Sequence, residues 1–310
     1  MLWRLRKMKL RCYATHLENK MKYGELKRKN EEEILKLQEY DCGEGGMLPL
    51  LYFPLLDETG IVKNAFTTRE GGVSKGIFES LNLSFTRGDD PDAVKENYRR
   101  IAAAFGKEET DIVCSDQTHT TNVVRVDGSC GGYGITRERP YTDVDGLVTD
   151  EPELILATFY ADCVPLYFVD PVHRAIGLSH SGWRGTVARM GQATLTKMKE
   201  EFGTDPKDVY AAIGPSICQA CYEVSEDVAD AFKEAFAGHE REILLDKGNG
   251  KYQLDLWRSN EIVMLDAGIK REHLAVTNIC TCCNERLLFS HRASKGKRGN
   301  LGAFLMLKEA

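Results

Sequence analysis

The chain has 310 residues, 42% of them hydrophobic, which is enough for a large core in one domain or two. A formal net charge of -6 and a pI near 5.8 exclude the basic excess of a general nucleic-acid binder. The longest apolar stretches, near 154–169, are broken by Asp162 and Cys163, so no membrane span is expected.

Ten cysteines, at 12, 42, 114, 130, 163, 218, 221, 280, 282 and 283, stand in a long chain with no recognisable signal peptide and read as free thiols of a cytoplasmic protein. Residues 1–11 are basic, partly apolar and free of acids, as in an organelle-targeting leader, yet no long Ser/Arg-rich amphipathic stretch follows. Residues 24–40 form a charged helical pattern whose few apolar anchors are Leu26, Ile34, Leu35 and Leu37. Residues 1–46 are therefore expected to be a charged N-terminal extension, partly disordered, with a single domain over 47–310.

Strands are expected at 48–55 and 62–68, followed by the turn Thr67-Thr68-Arg69-Glu70-Gly71-Gly72-Val73-Ser74, whose paired glycines permit positive φ and close backbone approach. Arg69 is its candidate anion donor. Asp90 or Pro91 starts a helix to Phe105 with Val94, Tyr98 and Ile101 on one face. Strands at 112–115 and 122–126 bracket Gln117-Thr118-His119. Three apolar runs, 154–160, 165–169 and 175–178, each end in polar or reactive residues: Ala161-Asp162-Cys163 after the first, and His180-Ser181-Gly182-Trp183-Arg184-Gly185 after the third. A helix over 185–202 would bury Val187, Met190, Leu195 and Met198. Strand 209–213, helix 224–237, a helix within 252–267, strand 274–278, and β-like runs at 287–290 and 299–307 complete the chain. Interleaved strands and helices without a strict βαβ repeat predict an α+β fold, a single layered domain of mixed sheets flanked by helices.

Two chemistries follow from these residues alone. Zinc takes thiolate and imidazole, and a catalytic zinc site has three protein ligands and one open position; His119, Cys163 and His180 supply such a set. Equally, Cys163 and His180 make a nucleophile and its base, with Asp162 or Ser181 nearby, suited to acyl transfer or deamidation. A separate four-thiolate zinc reading joins Cys218-x-x-Cys221 to Cys280-x-Cys282-Cys283. One residue between the first two thiols of the second group departs from the usual two to four, so ordinary buried thiols are expected there.

In order, the motifs Thr68-Arg69-Glu70-Gly71-Gly72-Val73-Ser74, Ser80-Leu81-Asn82-Leu83, Gly88-Asp89-Asp90-Pro91, Gln117-Thr118-His119, Ala161-Asp162-Cys163-Val164-Pro165, His180-Ser181-Gly182-Trp183-Arg184-Gly185, Gly214-Pro215-Ser216-Ile217, Cys221-Tyr222-Glu223-Val224 and Cys280-Thr281 resemble the multicopper polyphenol oxidoreductase or laccase-domain proteins, now usually described as purine nucleoside phosphorylases. The resemblance covers about residues 53–307. It implies the laccase-domain (cytotoxic-necrotizing-factor-like) fold and zinc held by His119, Cys163 and His180, with copper as the other metal such donors accept. It also implies phosphorolysis of adenosine, inosine and methylthioadenosine, together with adenosine deamination. The small-molecule partners are then purine nucleosides and phosphate, with neither nucleic acid nor membrane.

On this reading a metal lowers the pKa of a bound water, as deamination needs, and Asp162 is the candidate proton carrier. Arg69 and Arg184 would orient phosphate, and Asn82 would contact ribose or phosphate. Arg184 has a structural alternative, stacking its stem beside Trp183. Two departures from the family stand out: Thr120 where glycine usually follows the histidine, and Lys297-Arg298-Gly299 where Thr-Gly-Arg usually stands. A thiol hydrolase or amidase of peptidoglycan-editing type, a copper-dependent phenol oxidase and a non-catalytic binding protein are the alternatives.

Overall fold

The computed structural model describes residues 26–309; the basic stretch at 1–11 and the first residues of the charged 24–40 pattern lie outside them. Two six-stranded mixed sheets face each other. The first runs, in spatial order, β1 (Lys36–Asp41), β2 (Met47–Tyr52), β3 (Val62–Thr67), β15 (Leu301–Leu307), β7 (Ile155–Tyr160) and β4 (Ile112–Cys114). The second runs β14 (Leu274–Val276), β10 (Tyr210–Ile213), β8 (Val164–Asp170), β9 (Ala175–Ser181), β6 (Gly146–Thr149) and β5 (Val123–Arg125). A small third sheet is ordered β11 (Glu223–Ser225), β13 (Lys251–Leu254), β12 (Leu244–Gly248).

The layering follows from period-two alternation on strands buried on both faces. Leu51, Phe66, Leu156 and Leu305 meet Tyr167, Val169, Ile176 and Leu178 between the two sheets. On the outer side of the first sheet, Leu50, Ile155 and Phe304 receive Val94, Tyr98, Ile101 and Phe105 of helix α1 (Pro91–Phe105). On the outer side of the second, Val164, Leu166 and Phe168 receive Met190, Leu195, Met198, Ile262 and Val263 of helices α3 (Met190–Phe202) and α5 (Leu256–Asp266). Helix α1 starts where expected because the Asp90 carboxylate accepts from the Asp92 amide and Pro91 needs no donor partner. The result is an α+β sandwich with helices on both outer faces.

Several expectations are corrected. The charged pattern before Tyr40 is not a helix: Leu35 is fully buried between the sheets, and β1 pairs antiparallel with β2 from Lys36↔Tyr52 to Asp41↔Met47. The open edge of β2 offers a full row of backbone partners, which outweighs local helical propensity. The expected helix at 185–202 is two, α2 (Trp183–Val187) and α3, separated where Arg189 takes φ 61. Helix α4 (Glu226–Ala235) starts later than expected because β11 takes the preceding residues. Residues 287–290 are irregular rather than β: the Leu287 and Leu288 amides turn back to the Asn284 carbonyl, and Leu288 and Phe289 are buried without joining a ladder. β6 and the β12–β13 hairpin were not anticipated.

Among the described residues, no cysteine is in a disulfide and no helix is long and apolar enough to cross a membrane.

Candidate metal centre

Register brings the chemistry to one end of the sandwich. β4 and β7 are parallel neighbours, so the His119 loop after β4 and the Asp162-Cys163 turn after β7 leave the same edge. That turn carries the chain from the first sheet into β8 of the second, where Pro165 faces His180 on β9. β6 pairs with β9 at Gly146↔Ser179, which sets Asp145 beside His180.

His119, Cys163 and His180 thereby place their nitrogen and sulfur atoms within 4.8 Å of one another. The Cys163 sulfur lies 4.0 Å from His119 Nε2, and the two imidazoles meet edge to face with centroids 4.9 Å apart. Tetrahedral angles with Zn–S and Zn–N bonds of about 2.3 and 2.1 Å separate the two donor atoms by about 3.6 Å, so this spacing fits. Burial is graded: His180 is buried, Cys163 half-buried and His119 exposed, which leaves the centre open on the His119 side.

Asp145, fully buried, organises the group and is the main residue that sequence reasoning missed. Its Oδ1 lies 2.7 Å from His180 Nδ1; because a carboxylate only accepts, Nδ1 carries the proton and Nε2 is left for Cys163 or a metal. The same carboxylate accepts from the amides of Thr118, His119 and Thr120 at 3.1, 3.2 and 2.8 Å. One side chain thus sets both histidines, and His119 is held at φ 71, a left-handed conformation that few non-glycine residues adopt. Thr120, the departure from the family's glycine, adds its hydroxyl 3.0 Å from Asp145 Oδ2. Gln117 ties the loop to β7 by exchanging hydrogen bonds with the Phe159 amide and carbonyl, at 2.6 and 2.7 Å. The only sequence signal for Asp145 is an acid directly before an apolar run.

The electrostatics are those of an ion pair. Burial pushes the Cys163 thiol up, but the His180 charge and hydrogen bonds from both imidazoles outweigh it and bring it down to about 6. Burial likewise opposes charge on His180, but the Cys163 thiolate and Asp145 raise it to about 9. Burial also opposes the Asp145 charge, and His180 and the loop amides nevertheless hold its carboxyl below the usual range.

Asp162 sits beside the triad at φ 91, its Oδ1 accepting from the Thr281 hydroxyl at 2.6 Å and its Oδ2 from the Arg292 amide at 2.7 Å. Both oxygens are engaged, a geometry that positions the turn. Gly182 is required by close approach: a Cβ there would lie 2.7 Å from His119 Cδ2 and 3.3 Å from the Cys163 sulfur.

The expected substrate-holding residues fare differently. Asn82 is fully buried, its amide donating to Ser84 O and Asp89 and its carbonyl accepting from the Ser84 and Asn300 amides; it joins two loops and leaves no polar atom for a substrate. The Arg69 guanidinium donates to the Glu79 and Glu285 carbonyls and lies over the Phe289 ring, a scaffold role. The Glu70-Gly71-Gly72 turn does need close approach, since a Cβ on Gly72 would lie 2.2 Å from the Ser80 carbonyl. Arg184 stacks on Trp183 at 4.2 Å, as its structural alternative had it, while its charge reaches Tyr222 near Cys163.

A basic group that the sequence reading did not assign acts electrostatically on the Asp162-Cys163 turn. Arg298 has a buried Nε with no partner. Burial and the Arg87 charge pull its guanidinium down to about 10 while Asp162 and Cys163 pull the other way, so all these groups share one field. His291 is lowered by burial and then by Arg298.

Residues 63–308 match the family model described as multi-copper polyphenol oxidoreductase laccase. The chain belongs to this family. This laccase-family chain is 38% identical over 246 residues to purine nucleoside phosphorylase YlmD of Bacillus subtilis (strain 168), covering 79% of this chain and 88% of that protein. It is 33% identical over 230 residues to adenosine deaminase RL5 of an unknown prokaryotic organism, covering 74% and 87%. Among solved structures, the Bacillus licheniformis hypothetical protein YfiH superposes with a TM-score of 0.80 at 34% identity, covering 84% of this chain and 96% of that one. The layered α+β architecture is therefore the family's.

Proposed function

We propose that this chain is a zinc-dependent purine nucleoside enzyme that cleaves adenosine, inosine and methylthioadenosine with phosphate and also deaminates adenosine. The observation that carries the reading is the open cluster of His119, Cys163 and His180, locked from behind by Asp145. The names of the prokaryotic relatives support the substrate class. The donor set, two imidazoles and one thiolate around an open side, suits zinc. Bound there, the metal would supply Lewis-acid activation.

The chain's own residues supply the rest. Asp145 keeps the His180 proton on Nδ1. Arg298, whose Nη1 donates to the Gly299 carbonyl and to Asn300, attracts phosphate together with Arg87 and His291 through the positive charge they bring beside Asp162 and Cys163. In phosphorolysis an oxygen of hydrogen phosphate bonds to the anomeric carbon as the carbon–nitrogen bond breaks, the electron pair leaves with the base, and the base gains the proton that the phosphate gives up. The fixed positive charge holds the attacking anion in place, which lowers the entropic part of the barrier. The reading places the protein in the cytoplasm.

The test is chromatography of adenosine incubated with phosphate and purified protein: adenine and ribose 1-phosphate form, and folded His119→Ala and Cys163→Ala variants lose the activity. Full activity in both variants would sink the reading.

One observation favours a second reading, a thiol hydrolase or amidase: the Cys163 sulfur and the His180 imidazole lie together, with the thiol brought down to about 6 and the imidazole up to about 9, the shifts that favour a thiolate–imidazolium pair. Metal-free protein that stays active and is stopped by alkylation of Cys163 would select it. Copper in place of zinc, and with it phenol oxidation, is separated by elemental analysis of protein purified without added metal.

A further inference from the structure

A second cluster lies outside this centre. Cys218, Cys221, Cys280 and Cys283 bring their sulfurs within 4.8 Å of one another, and none of the four is in a disulfide. The first pair sits in the loop between β10 and β11, where the amides of Cys221 and Tyr222 turn back to the Cys218 carbonyl. The second follows β14, where the Asn284 amide turns back to the Cys280 carbonyl. The two loops are joined by a parallel bridge between Ser216 and Cys280.

The spacing objection to a zinc site falls away, because the fourth thiol is Cys283 and not Cys282. Each pair is then Cys-x-x-Cys, and each is a tight turn that aims two sulfurs inward. The cluster also has the surroundings of bound thiolates. The amides of Cys218 and Cys283 donate to the Cys280 sulfur at 3.3 and 3.4 Å, and the Lys29 ammonium lies 3.3 Å from the Cys283 sulfur. Four neutral thiols need no such donors; four thiolates around a divalent ion keep a net negative charge, which these N–H groups offset. The Cys221 and Cys283 sulfurs are 3.5 Å apart, against about 3.8 Å expected for two corners of a tetrahedron with 2.3 Å bonds.

We propose that Cys218, Cys221, Cys280 and Cys283 hold a structural zinc ion, separate from the open centre at His119, Cys163 and His180. Protein fills all four positions, so the ion staples and does not catalyse. It fastens the loop after β10 to the loop after β14, and Lys29 draws the segment before β1 to the same point. Thr281, between the two ligands of the second pair, donates its hydroxyl to Asp162 Oδ1, and the Ile217 amide donates to the Asp162 carbonyl. The staple therefore supports the turn that presents Cys163.

The test uses full-length protein purified under reducing conditions without added metal. A His119→Ala, Cys163→Ala variant disables the open centre and is expected to retain one zinc per chain, whatever metal that centre takes. X-ray absorption at the zinc edge of this variant should show four sulfur neighbours at about 2.3 Å. Adding Cys221→Ser should remove the zinc; should that variant fail to fold, the sulfur shell of the parent variant still decides. No zinc in the first variant, nitrogen or oxygen in its shell, or a Cys221–Cys283 disulfide in place of metal would each overturn the proposal. Two zinc ions in the wild type and one in the variant support both centres, and one in each supports the staple while removing the zinc at the triad.

Discussion

Asp145 concentrates five contacts from His180 and the His119 loop on one buried carboxylate. Replacing it with Asn keeps the shape but removes the charge and lets the amide donate where only an acceptor fits. Asp145→Asn should weaken zinc binding at the triad by about 10–100-fold, read by competition with a chromogenic chelator. Gly182→Ala forces a methyl group against the His119 ring; a misplacement of about 1 Å can cost about 100-fold in turnover, with the circular dichroism spectrum unchanged.

pH dependence belongs to the same scale. With Cys163 brought down to about 6, its thiolate persists above that pH, so alkylation of metal-free protein by iodoacetamide should rise with a midpoint near 6. In His180→Ala the midpoint should move up toward the ordinary thiol value of about 8.5. The pair's contribution to stability has the matching signs: the Cys163 part is lost as pH falls through about 6, and the His180 part as pH rises through about 9. Arg298→Ala should raise the KM for phosphate by about 10–100-fold, the loss of one or two charge-assisted bonds, with a smaller effect on the nucleoside KM.

Elements were legible where local pattern and tertiary demand agreed. Helix α1 has its cap, its Pro91 and its apolar face in consecutive residues, and it stands at Pro91–Phe105 as read. β7, β8 and β9 are apolar runs long enough to be seen without partners. β1 lies in a charged stretch whose sparse apolar anchors, Leu26, Ile34, Leu35 and Leu37, read locally as a helical pattern, and what decides its state is the unpaired edge of β2. Because Leu35 packs between the sheets just before β1, Leu35→Ala should cost about 2–5 kcal/mol in chemical denaturation, the range for a buried leucine, where a solvated helix would lose almost nothing.

For the whole molecule, the sequence by itself determined the composition class, the layered α+β architecture, the family, and the three motifs that carry His119, Cys163 and His180. Each is local information: apolar period, turn chemistry, or a short string of residue types. The tertiary structure decided what lies next to what. It brought residues 119, 163 and 180 to one end of two facing sheets, put Asp145 behind them, and tied the Arg69 and Asn82 side chains into hydrogen bonds within the protein. It also chose Cys283 over Cys282 for the second cluster, because only one of two adjacent side chains can face inward from that turn. Strand register and chain reversals create such neighbours, and they depend on the packing of strands more than a hundred residues apart, such as β3 and β15, which no local pattern encodes.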